Sequence, residues 1–176
     1  MLYNSAMLRK CLLALLLIVP IEAQTPSVNL GGVELRLGMS QESVLAKFAA
    51  LPSVQADRIT NDDLYFVQVR ELEIWEPAGD LWFHDGKLGR ITIVEHNDNK
   101  SDTAALAKSF YNAVADTGES GLLRVWTERN NDAKQPSYEV HLLFKDREII
   151  VKTSNSTQGN ITSTKTYYPT AQAVTR

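Results

Sequence analysis

Residues 80–95 read DLWFHDGKLGRITIVE, and the Asp85-Gly86 step at their centre decides what this chain can fold into. A two-residue hairpin turn needs positive φ at both central positions, which Asp tolerates and Gly adopts freely. "DLWFH" and "LGRITIVE" flank the step as strand-forming runs, so the stretch predicts an antiparallel hairpin. Working outward, "VQADRI" (54–59), "LYFVQV" (64–69) and "ELEIW" (71–75) read as strands upstream. Asn61-Asp62-Asp63 breaks the first pair and Pro77-Ala78-Gly79 a later one. Downstream, "LLRVWTER" (122–129), "SYEVHLLF" (137–144) and "EIIVKTS" (148–154) read the same way, with the polar loop "NNDAKQP" joining the first two.

Two segments carry helical period instead. In "LRLGMSQESVLAKFAALP" (35–52) Ser40 suits an N-cap and Glu42 favours the positive end of the helix dipole. Met39 and Val44 have the spacing of a hydrophobic staple, and Ser43 stands where a full capping box has Glu or Gln. Val44, Leu45, Phe48 and Leu51 form one apolar stripe, which Pro52 ends. "SDTAALAKSFYNAVADTG" (101–118) aligns Leu106, Phe110, Ala113 and Val114, with Gly118 fitting its C-terminal cap. Helix then strands occurs twice. "WFHDGKLGRI" and "LFKDREIIVK" also match at Phe83 and Phe144, Asp85 and Asp146, Leu88 and Ile149. This order predicts an α+β fold in which two helices pack on one face of an antiparallel β-sheet, as a tandem repeat over 38–95 and 101–154. The single domain is expected over 35–154, with a linker at 24–34. The Thr-, Ser- and Asn-rich residues 155–176 read as either a polar tail or an edge strand.

"LGMSQESVLAKF" resembles the entry helix of small periplasmic proteins of the BamE (SmpA/OmlA) type, and "LWFHDGKLGRITIV" resembles their later hairpin. The duplicated form is similar to the beta-lactamase-inhibitor proteins. The likeness spans residues 35–95 and implies helices laid on an antiparallel sheet in an envelope protein. The chain departs from the first group in lacking a lipidation cysteine, and from the second in lacking disulfides.

The N-terminus predicts export. Arg9 and Lys10 precede the apolar run "CLLALLLIV", Pro20 breaks it, and Ala23 offers a small residue before a cut, so residues 1–23 read as a signal peptide. The run is far shorter than the roughly 20 residues of a membrane-spanning helix, and no membrane span is expected after leader removal. Cys11, the only cysteine of the 176 residues, lies within it. The mature chain therefore has no thiol for a disulfide, a Cys-ligated metal or nucleophilic catalysis. Arg9, Lys10 and Glu22 leave with the leader, taking the formal net charge from −3 to −4. A mildly acidic chain without basic runs argues against nucleic acid as a partner. The expected location is secreted or periplasmic.

Catalytic signatures are sparse. Glu95, His96 and Asp98 cluster between a strand and the second helix without a ligand spacing such as H-E-x-x-H, and the run is not an EF-hand. "GESGL" lacks the spacing of a nucleophile elbow, and no Gly-rich phosphate loop is present. No catalytic residue, metal ligand or cofactor is assigned. Pleat alternation, however, puts Trp75, Trp82 and Trp126 with Arg70, Arg90 and Arg124 on the polar face of the sheet. Trp and Arg dominate interface hot spots. The expectation is a non-catalytic binding or scaffold protein recognising another protein or an envelope component through that aromatic–basic face. The alternative is a small cofactor-free hydrolase using carboxylates near His96.

Overall fold

The computed structural model describes residues 27–59, 63–98, 110–115, 121–130, 137–155 and 161–170. The leader, the loop at 131–136 and most of the segment with the second helical period lie outside them. The elements run β1 (Val28–Leu30), β2 (Val33–Leu35), α1 (Gln41–Ala49), β3 (Val54–Arg58), β4 (Leu64–Glu71), β5 (Ile74–His84), β6 (Lys87–Asp98), β7 (Leu122–Asn130), β8 (Ser137–Phe144), β9 (Arg147–Asn155) and β10 (Ile161–Pro169). β3 to β10 form one eight-stranded antiparallel sheet in the order β3-β4-β5-β6-β10-β9-β8-β7, and β1 and β2 form a separate two-stranded sheet. Two meanders, β3–β6 and β7–β10, thus meet where β6 pairs with β10.

This architecture corrects the α+β expectation. The protein is predominantly β, and α1 is a short helix of nine residues rather than one of two helices layered on a sheet. The BamE-like and inhibitor-like resemblance falls with it. The motifs that carried it, a capped helix start and an Asp-Gly turn, are local devices that many β folds use. The helical period at 101–118 is described only over 110–115, which is helical and contributes the buried Ala113 to the core.

α1 forms as its sequence dictates. Ser40 is the N-cap and its hydroxyl accepts from the Ser43 N–H at 3.3 Å, while Val44 and Phe48 are the buried residues of the stripe. The chain just before it runs alongside β6: Gly38 N–H donates to Leu88 O and Leu88 N–H to Met39 O, each at 2.8 Å. The Gln41 side-chain amide donates to the Tyr65 hydroxyl at 2.8 Å, and Tyr65 packs edge-on against Phe83.

The other cover on this face comes from residues 28–35, most of them in the stretch read as a linker. Val28, Leu30, Val33 and Leu35 are all buried in the core cluster with Val67, Leu81, Phe83, Leu88 and Ile91. The hairpin lies so close that a Cβ at Gly79 would stand 3.1 Å from Leu30 Cδ1, and one at Gly31 would stand 2.9 Å from Val69 Cγ1. The core continues beneath the second meander as Leu142, Phe144, Ile149, Val151 and Tyr167.

Two turns sit differently from their sequence reading. "ELEIW" is not one strand: Glu71 ends β4, Leu72 and Glu73 turn, and Ile74 starts β5. Leu72 holds φ at +57° and is 96% exposed. Pro77 does not end a strand either. β5 passes through it where the pairing with β4 shifts register between Val67 and Gln68, and such a bulge accommodates a residue with no N–H to donate. The Asp85-Gly86 turn forms with positive φ at both residues.

Candidate functional site

Directly paired residues on antiparallel strands point to the same face, so the registers place every candidate side chain. One row crosses the sheet as Asp80, Thr92, Thr166, Ile150, His141 and Trp126. Trp82 pairs with Arg90 beside this row, and Arg124 pairs with Leu143 two residues from Trp126. Arg70 pairs with Trp75 at the β4–β5 turn, one step from core-facing Val69. All six residues therefore lie on the face turned away from α1 and the β1–β2 hairpin.

They do not form one patch. Trp82 on β5 and Trp126 on β7 are five strand steps apart, on the order of 24 Å. Trp75 and Trp82 are seven residues apart along β5, roughly 23 Å. The face carries three separate stations instead.

The first station is the β4–β5 tip, where half-buried Trp75 and exposed Arg70 stand beside exposed Leu72 and Ile74. At the second, Asp63, Leu64, Trp82, Phe83, His84, Asp85 and Arg90 line a cleft of about 510 Å³. The half-buried Trp82 indole stacks on the His84 imidazole, with centroids 5.4 Å apart and planes at 18°. Arg90 Nη2 donates to Asp80 Oδ1 at 2.9 Å, while Arg90 Nε is buried without a hydrogen bond.

The third station is built on β7, β8 and β9. The Trp126 ring stacks on His141, 4.6 Å between centroids and 15° between planes, with the Arg124 guanidinium 5.1 Å from the indole centroid. His141 is buried, and its Nδ1 lies 2.8 Å from Glu148 Oε1, itself buried. Its Nε2 makes no hydrogen bond among the described residues. Glu139 Oε2 lies 3.5 Å from that nitrogen and Glu128 Oε1 3.9 Å from it. Glu128 Oε1 also accepts from the Trp126 indole N–H at 3.0 Å, and Lys152 Nζ lies 2.8 Å from Glu139 Oε1. This convergence of three carboxylates on one imidazole went unread in the sequence. Its visible trace was Glu139-Val140-His141, an i, i+2 pair on one strand face. Glu128 and Glu148 arrive only through strand pairing.

On the opposite face, a cleft of about 420 Å³ beside the β1–β2 turn brings Glu71, Glu76 and Glu95 together with Gly31 and Val69. A carboxylate hydrolase wants acids in such a cleft, but Glu95 is held in an ion pair, 3.1 Å from Lys165 Nζ with both side chains largely buried. The side chain of His96 lies outside the described residues. Among the described residues no helix is long and apolar enough to cross a membrane. Comparison with protein-family models, curated proteins and solved structures finds no match to this chain.

Proposed function

We propose that this chain is an exported, secreted or periplasmic, non-catalytic binding protein that recognises another protein or an envelope component. Its contact is the Trp82–Arg90 cleft, with Trp75 and Trp126 as separate outlying stations. The observation that carries this reading is the placement of Trp82: a half-buried indole stacked on exposed His84, at the mouth of a cleft, on the face away from the core-covering hairpin and α1. A large aromatic left partly in water exposes apolar area that a partner can bury, and Arg90 beside it supplies a guanidinium. Asp63 and Asp85 on the same cleft favour a partner surface bearing hydrogen-bond donors or cationic groups.

The test is site-specific photo-crosslinking in the native envelope from a probe at Leu64, on the cleft wall. One partner should be captured by the parent chain and lost with Trp82→Ala, while Trp75→Ala and Trp126→Ala keep it. Trp82→Ala should leave the unfolding free energy within about 1 kcal/mol of the parent, since the ring is not core. Capture that survives Trp82→Ala, or a several-kcal/mol loss of stability with that substitution, overturns the assignment.

A further inference from the structure

We propose that the β7–β9 end of the sheet is a transition-metal site that takes a zinc-class divalent cation on His141 Nε2, Glu139 and Glu128. Four observations converge on it, and none depends on the cleft at Trp82.

The first is the donor set. One oxygen from each of two carboxylates and an imidazole nitrogen lie within 4.8 Å of one another, from residues on two adjacent strands. The second is the state of His141. It is more than nine-tenths buried, and Nε2 is a buried polar atom with no hydrogen-bond partner among the described residues, aimed at the gap between Glu139 and Glu128. Leaving such an atom unsatisfied costs free energy that a bound cation removes.

The third is distance. With ligand bonds of roughly 2.0–2.1 Å, two donors on a tetrahedral ion lie about 3.3 Å apart. The Nε2–oxygen separations of 3.5 and 3.9 Å are too long or too poorly aligned to be hydrogen bonds, yet close to that ligand–ligand edge. The fourth is the support behind the ligand. Glu148 Oε1, itself buried, lies 2.8 Å from Nδ1 and engages that nitrogen, which leaves Nε2 to face the gap. Metal-binding histidines are oriented by such a carboxylate. The Trp126 ring against the imidazole face restrains its rotation further.

Imidazole with carboxylates suits zinc, copper, nickel or iron rather than magnesium or calcium, which prefer all-oxygen shells. Three protein donors leave a coordination position for water or for a donor on a partner. Lys152 occupies the outer oxygen of Glu139, so Glu139 binds through Oε2. Glu128 is 60% exposed at the strand edge and gives the ion its path in.

The test uses the full mature chain, stripped with chelator, and zinc or cobalt(II) chloride as probe, read by calorimetry and by cobalt absorption. One ion per chain is expected, with magnesium and calcium failing to compete at a hundredfold excess. Glu148→Gln, which removes only the support, should weaken zinc roughly 10- to 100-fold, and Glu128→Gln at least as much. Trp126 emission should be quenched on cobalt addition in a chain whose other two tryptophans are Phe, and unchanged once Glu128→Gln is added. His141→Gln should abolish binding. If that buried substitution prevents folding, the exposed Glu128→Gln decides alone. Absence of binding, or stoichiometric binding unaltered by Glu128→Gln, overturns the site and leaves a histidine bracketed by acids.

Discussion

At the residue scale, Gly79 and Gly86 of the central hairpin make different demands, and substitution separates them. A Cβ at Gly79 would lie 1.9 Å from the Thr92 carbonyl oxygen, a backbone atom that can move only with the β5–β6 ladder. At Gly86 the space is open, and the demand is the left-handed backbone at φ +69°. Gly79→Ala should therefore cost about 3 kcal/mol in urea unfolding, at the upper end for overpacking, against roughly 1 kcal/mol for Gly86→Ala. The Gly86 requirement was readable from Asp-Gly itself. The Gly79 requirement was not, because it comes from Leu30 and Thr92, 49 and 13 positions away in the chain. His141 shows the same division. Its alternation with Glu139 is local, whereas Glu128 and Glu148 reach it only through the registers of β7 and β9.

At the element scale, α1 agrees with its sequence at the Ser40 cap and at Val44 and Phe48, because caps and apolar spacing act within a few residues. Leu51 of the stripe, by contrast, lies past the helix end and is exposed. Ser40→Ala removes the acceptor for the Ser43 N–H and should lower stability by about 1 kcal/mol, measured by denaturant unfolding with an unchanged m-value. Strand ends were harder to place. The β4–β5 turn falls inside a run of strand formers, and Leu72 adopts positive φ without any turn residue to announce it. β1 and β2 are three residues each, too short to show a period, yet their four inward side chains are all buried in the core.

For the whole molecule, the seam between β6 and β10 joins the two meanders, and an ion pair crosses it. Lys165 on β10, largely buried, meets Glu95 on β6. Lys165→Met strands the Glu95 carboxylate and should cost roughly 3 kcal/mol, while adding Glu95→Leu should restore much of the loss. A double-mutant unfolding cycle checks this, and simple additivity would deny the coupling. The α+β expectation failed at this same scale. Two helical periods and a resemblance resting on a capped turn and a hairpin imply layers, whereas a layer exists only when elements pack. What covers the first meander is largely the β1–β2 hairpin, with a single short helix beside it.

The amino-acid sequence by itself determined the antiparallel pairing around Asp85-Gly86, the capped α1, the alternation that puts Arg124 and Trp126 on one face of their strand, and the presence of a single cysteine at position 11. These follow from rules of period two, period 3.6 and turn chemistry, which act between near neighbours. Tertiary structure alone decided the order of the eight strands, the burial of residues 28–35 and the distances that split the aromatic face into three stations. It also decided the meeting of Glu128, Glu139, His141 and Glu148. The burial of residues 28–35 is a packing of one sheet on the face of another, between residues far apart in the chain. The other three depend on which strand edges pair, and pairing energy comes from backbone hydrogen bonds that nearly every residue can make, so no side chain marks its partner in advance.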